Sequence, residues 1–102
     1  MEFIEAPQFT KRLHEYMDDA EYSVLQLYLV INPEAAPIIP GSGGVRKLRW
    51  RGNGKGKRGG LRIIYYWHKS KSEIWMLTLY AKNEAEDIPL NILREIRKEI
   101  EK

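Results

Sequence analysis

No cysteine occurs among the 102 residues. That absence excludes disulfide staples, cysteine-based zinc sites, iron-sulfur clusters and a thiol nucleophile. Nor is there a run of the ~18 apolar residues that a membrane-spanning helix requires. Met1 to Pro7 lacks the basic and apolar blocks of a signal peptide, so a soluble, cytoplasmic protein is expected. Histidine is scarce: His14 falls on a predicted helix and His68 near a predicted strand end, and no cluster of carboxylates falls in the basic half of the chain. Metal catalysis is therefore disfavoured, and no cofactor is expected. No Ser-His-Asp set is evident. The spacing Gly52-x-Gly54-x-Gly56 is followed by neither a lysine-serine/threonine pair nor a predicted helix, so it is not a P-loop. What is present, 43% hydrophobic and 30% charged residues, is the composition of a globular chain, and the length suits one domain over residues 1–102.

Charge is divided unevenly along the chain. Residues 1–40 carry two basic and seven acidic side chains, net −5; residues 41–82 carry eleven basic and one acidic, net +10; residues 83–102 come to −2. Between Arg46 and Arg62 stand eight Lys or Arg and no carboxylate. Clustered cations repel one another unless a polyanion lies against them, so Arg46, Lys47, Arg49, Arg51 and Arg58 read as a phosphate-binding surface. The plainer reading is a solvated face that aids solubility.

Hydrophobic spacing supplies the elements. Phe3 to Glu5 reads as an edge strand. Phe9, Leu13, Tyr16 and Met17 share one helical stripe. Asp18, with Glu21 three residues on, has the spacing of a capping pair. The helix it opens would bury Tyr22, Leu25, Tyr28 and Leu29 and stop at Asn32-Pro33. Gly41-Ser42-Gly43-Gly44 breaks regular structure. In Val45 to Arg51, Leu48 and Trp50 alternate with Lys47, Arg49 and Arg51, the pattern of a half-exposed strand. Leu61 to His68 and Glu73 to Ala81 are rich in β-branched and aromatic residues, with a polar hairpin connection over residues 69–72. Asp87 could cap a last helix with Pro89 in its first turn and Leu90, Leu93, Ile96 and Ile100 as its apolar stripe. The expected order is strand, two-helix hairpin, three-strand antiparallel meander, helix. For such an α+β chain we expect the helices on one side of the sheet, with one sheet face in the core and the other free.

The residues able to do chemistry are cationic and aromatic. Lys55 and Lys57 sit in a loop with five glycines among residues 52–60. Arg62 opens the next strand, and Tyr80 and Lys82 lie two apart on the last. Residues two apart on a strand share a face, so Tyr80 and Lys82 project together if the strand continues that far. Such a group could cradle a phosphodiester: Arg and Lys stabilise a phosphorane, Lys can move a proton, and Tyr can stack on a base. Alternatively, Tyr80 packs, Arg62 is a strand-end cation and the lysines merely decorate a loop.

Three stretches carry a resemblance. They are Gly41-Ser42-Gly43-Gly44-Val45-Arg46-Lys47-Leu48, then Gly54-Lys55-Gly56-Lys57-Arg58-Gly59-Gly60-Leu61-Arg62-Ile63-Ile64-Tyr65-Tyr66, then Leu77-Thr78-Leu79-Tyr80-Ala81-Lys82-Asn83-Glu84. In order and spacing the chain resembles the HigB-like branch of the RelE toxin family. The resemblance implies a microbial RNase-like α+β fold and the toxin of a type II toxin-antitoxin pair, a ribosome-dependent endoribonuclease cutting mRNA in the ribosomal A site. It implies metal-free attack of the 2′-hydroxyl on the adjacent phosphorus. It also implies inhibition by a cognate antitoxin, a small helix-turn-helix protein. The catalytic positions carry over to Lys55, Lys57, Arg62, Tyr80 and Lys82. Some relatives have a further arginine after the last strand and a catalytic tyrosine in the C-terminal segment, where this chain has Asn83 and no tyrosine after Tyr80. The general base is thus open between a lysine of lowered pKa and a reaction resting on charge stabilisation and positioning. Two rivals remain: a ParE-like toxin that inhibits DNA gyrase by protein binding, and a basic nucleic-acid-binding module without catalysis.

Overall fold

A computed structural model describes residues 1–51, 60–84 and 88–102. The elements follow in the order β1 (Glu2–Glu5), α1 (Pro7–Tyr16), α2 (Asp19–Ile31), β2 (Arg46–Trp50), β3 (Leu61–His68), β4 (Glu73–Ala81) and α3 (Leu90–Ile100). One sheet has the strand order β1-β4-β3-β2. Strands β2, β3 and β4 form the expected antiparallel meander. β1 adds to the outer edge in parallel, with Glu2 opposite Glu73.

Local chemistry sets the boundaries. Pro7 begins α1 at a position where its missing N–H costs nothing. Asp18 caps α2, its carboxylate accepting the Glu21 N–H at 2.8 Å. Asn32 closes that helix before Pro33. A single 3₁₀ turn over Lys69–Lys71, with Ser72 in the left-handed region at φ 53°, joins β3 to β4. Pro89 differs from expectation. It holds extended backbone (φ −56°, ψ 139°) as the residue before α3 rather than lying inside the first turn. The expected Asp87 cap lies outside the described residues.

Both faces of the sheet are packed, which corrects the expectation of one free face and helices on one side. Against one face, Phe9, Leu13, Leu25 and Leu29 of α1 and α2 meet Ile63, Tyr65, Ile74 and Met76. Against the other, Leu93 and Ile100 of α3 meet Val45, Ile64, Tyr66 and Leu77. The physical reason lies in β3, where Ile63, Ile64, Tyr65 and Tyr66 are consecutive and all buried. An unbroken apolar run belongs to a strand covered on both sides.

A β-bulge divides β4. Ile64 is paired with Thr78 and Tyr65 with Met76, so Leu77 is an extra residue on its strand. The alternation of side chains reverses there: Ile74 and Met76 belong to the α1/α2 core, and so do Leu79 and Ala81, three and five residues beyond Met76. Tyr80 consequently falls on the α3 face. Glu5 ties the layers together by accepting the Thr10 hydroxyl at 2.6 Å and the Tyr22 hydroxyl at 2.8 Å. Tyr28, expected in the buried stripe of α2, is instead 37% exposed, its ring 5.4 Å from that of Trp50. Among the described residues no helix is long and apolar enough to cross a membrane.

Candidate nucleic-acid interface

Strand register assembles the site. Arg49 of β2 is paired with Arg62 of β3, and Arg62 with Tyr80 of β4. Directly paired residues project from the same face, so Arg49, Arg62 and Tyr80 form one row across three strands, on the side where α3 packs. One step toward α3 the row is Lys47, Ile64 and Thr78. Two like charges placed directly opposite each other destabilise a sheet, and a bound phosphate would relieve that repulsion between Arg49 and Arg62. The Arg62 guanidinium also donates to its neighbour's carbonyl, Leu61 O, at 3.2 Å.

The expected binding cations do not all gather here. Arg46 turns to the opposite side, where its guanidinium donates to Ala36 O at 2.6 Å and Glu34 O at 3.4 Å and so fastens the connection after α2. Arg51 is exposed just past β2. Lys55, Lys57 and Arg58 lie outside the described residues. Gly60, the first described residue after them, has φ +75°, and an added Cβ there would sit 2.8 Å from Trp50 O, so a side chain is excluded on both counts.

Tyr80 is buried, with 4% exposure. It lines a cleft of 290 Å³ with Lys47, Ile39, Ile64, Ile88 and Leu93. It therefore packs as a wall of the cleft, beside Arg62, rather than standing clear of the surface. Lys82 does not continue the extended strand, because β4 ends at Ala81 and Lys82 to Glu84 form a turn. That turn is held from several sides. The Lys82 N–H donates to Gly60 O at 3.2 Å, and the Glu84 N–H to Ala81 O at 3.0 Å. One oxygen of the Glu84 carboxylate accepts the Ala81 N–H at 3.1 Å and the Tyr16 hydroxyl at 2.7 Å. Arg12 donates in turn to the Tyr16 hydroxyl at 3.0 Å. Burial, and then the Glu84 carboxylate, raise the Tyr16 pKa above its ordinary value. The clamp leaves no sign in the sequence, where Tyr16 reads only as a member of an apolar stripe and its partner is 68 residues away.

The histidines stand apart from the row. His14 is exposed on α1. His68 is buried at the far end of β3, about 20 Å of strand from Arg62, with Nε2 3.4 Å from a Glu101 oxygen. The Tyr66 hydroxyl donates to the same carboxylate, which pins the end of α3 to the sheet. No group of three or more potential metal ligands occurs among the described residues.

No family model matches the chain. Solved structures do. An arginine-to-alanine mutant of the Escherichia coli toxin RelE in the free state aligns with a TM-score of 0.61 at 14% identity, over 94% of this chain and 95% of that one. The E. coli RelBE toxin-antitoxin complex gives 0.60 at 14% identity over 84% and 98%. The isolated E. coli RelE toxin gives 0.59 at 14% identity over 97% of each chain. With its bulged four-strand sheet, two N-terminal helices and C-terminal helix, this chain has the fold of the toxin RelE over nearly its whole length.

Proposed function

We propose that the protein is the toxin of a type II toxin-antitoxin pair, a ribosome-dependent endoribonuclease that cuts mRNA in the ribosomal A site without a bound metal. The observation that carries this reading is the row Arg49-Arg62-Tyr80, bordered by Lys47 and by the clamped turn bearing Lys82, on a RelE fold. In the reaction the 2′-hydroxyl attacks the adjacent phosphorus. Its proton leaves to a base, the bond to the 5′-oxygen breaks, and that oxygen takes up a proton. Arg62 holds the scissile phosphate and gains strength as charge builds toward the phosphorane. Arg49 and Lys47 bind the flanking backbone. Tyr80 supports Arg62 from the adjoining strand, and Lys82, with Lys55 and Lys57 of the loop, supplies further charge and proton transfer. Arg51 and Arg58 extend the contact with ribosomal RNA. An antitoxin with an acidic segment would neutralise this face; one of the structures that share the fold is a complex of RelE with its antitoxin.

Arg62→Ala tests the reading. Loss of one preorganised donor costs ~10²- to 10³-fold in rate, so mRNA cleavage and growth arrest should collapse while melting temperature and ribosome binding stay near those of the parent. Cleavage within about tenfold of the parent, less than ~1.4 kcal/mol of barrier, would pass the role to another cation. If the parent chain itself leaves mRNA whole and damages DNA, the gyrase reading takes over; if it does neither, a binding module remains.

A further inference from the structure

α2 has two apolar faces, and the sheet can cover only one. Tyr22, Leu25 and Leu29 are buried, whereas Val24, Leu27, Tyr28 and Ile31 are 59%, 60%, 37% and 67% exposed. Their spacing of three, four and seven places them side by side as a second continuous stripe. Apolar stripes of this kind on one helix are laid out to receive another.

The surrounding charge says what kind of helix. Residues 13–45 contain no Lys or Arg and five acids: Glu15, Asp18, Asp19, Glu21 and Glu34. Three of them, Asp18, Asp19 and Glu21, gather at the start of α2. Among the described residues, cations of other elements approach only toward its far end, where Arg51 follows Trp50, whose ring lies against Tyr28. Arg46 is engaged with the carbonyls of Glu34 and Ala36. Lys69 lies 5.8 Å from the ring of Trp67, which lines a groove with Ile31, Pro33 and Ala35. RNA and anionic lipid would both be repelled by the acidic end. A second copy fits poorly as well. Antiparallel pairing centred on the stripe sets Glu21 against the other copy's Glu34, and parallel pairing sets the acidic first turns together.

We propose that the outer face of α2 is a docking surface for an amphipathic helix of a different chain, apolar along one side and carrying Lys or Arg where it meets the first turn of α2. This surface lies on the α1/α2 side of the sheet, away from the cationic row on the α3 side, so its occupant and a polyanion can be bound together. Contact with Tyr28 also reaches Trp50, the last residue of β2.

The test titrates the full chain with a synthetic helix-stabilised peptide bearing leucines at i, i+3, i+4 and i+7 and lysines on its flanks. A copy with glutamate flanks and a scrambled copy serve for comparison. Binding is read by calorimetry at low and high salt and mapped by amide chemical shifts. The lysine peptide should bind about tenfold or more tightly than the glutamate one, weaken with salt, and shift residues 20–31 and Trp50. Leu27→Ser/Ile31→Ser should lose at least about tenfold in affinity, and Asp19→Asn/Glu21→Gln should abolish the preference for lysine. These positions are exposed or at the helix end, and unchanged melting temperatures would show that the variants fold. Equal binding of the two peptides, or unchanged binding by Leu27→Ser/Ile31→Ser, overturns the proposal. So does a dimer in light scattering that this double variant dissociates, or adsorption to anionic vesicles that this double variant abolishes.

Discussion

The two faces of the sheet start alike and end differently. On the α1/α2 side the apolar packing runs to the end of the strands, through Leu48, Leu61 and Ala81 to the partly buried Trp50. On the α3 side it stops at Val45, Ile64 and the Tyr80 ring, and the positions outward are Lys47 and then Arg49 on β2 and Arg62 on β3. A single sheet thus takes its cohesion chiefly from one face, which leaves a length of the other free to hold like charges side by side. Folding stability and the anion binding proposed for this row can then vary independently, because different side chains of the same strands would carry them.

Substitutions can break that division or sharpen it. The largest effect on cohesion is expected from Phe9→Ala. Phe9 is fully buried beneath the sheet, and truncating such an aromatic costs about 3–5 kcal/mol. The denaturant midpoint should fall by a corresponding amount while whatever fraction remains folded keeps its affinity for anions, the converse of Arg62→Ala. A Phe9→Ala chain that folds as firmly as its parent would show that the α1/α2 face is not the main source of cohesion.

A smaller effect is expected at the join between the faces, where Tyr16 and Glu84 link α1 to the turn bearing Lys82. Glu84→Ala removes an acceptor shared by two donors and should cost about 0.5–1.5 kcal/mol of stability. It should also lower the turnover of mRNA cleavage with little change in ribosome affinity, since Lys82 is no longer held in place. Glu84→Gln keeps a carbonyl oxygen for both donors and should restore most of the rate. If Gln is as damaging as Ala, the charge of Glu84 matters rather than its hold on the turn.

The smallest effect concerns alkali. Burial, and then the Glu5 carboxylate, raise the Tyr22 pKa well above its ordinary value of 10.0. Burial is also the leading cause of the upward shifts of Tyr65 and Tyr66. A raised value means that the folded chain holds these protons more tightly than the unfolded one. Their stabilisation is therefore complete below about pH 10, the unfolded tyrosine value, and is lost as pH rises beyond it. The denaturant midpoint should decline above that pH, and Tyr22→Phe should flatten the decline. A midpoint that falls equally steeply in the variant would assign the loss to other groups.

Much of this arrangement is written in local sequence. β3 and β4 fall on the residues expected for them, because glycine precedes the first and a polar turn separates the two. α2 starts where Asp18 can cap it. The covering of the second face was less legible: an unbroken apolar run fits a strand buried on both sides, yet the run alone does not say which helix supplies the second cover. The bulge at Leu77 was not legible either. It reverses alternation within a segment whose residues are almost all apolar, and so leaves no periodic trace. For the site, Arg62 and Tyr80 could be placed near one another from strand order. Their direct pairing, the diversion of Arg46 to the carbonyls of Glu34 and Ala36, and the hold of Glu84 on the last turn depend on contacts between residues far apart in the chain.

β1 pairs with a strand that begins 71 positions later, Glu2 against Glu73. During synthesis the first strand emerges early and waits, its hydrogen-bonding partner still untranslated, until nearly three quarters of the chain exists. Contacts of such long range form late and slow the approach to the folded state. Tyr80 of the row and the turn that fixes Lys82 are made later still. A chain cut short before residue 73 would lack the strand that joins β1 to β3, and with it one end of the row and the turn that carries Lys82.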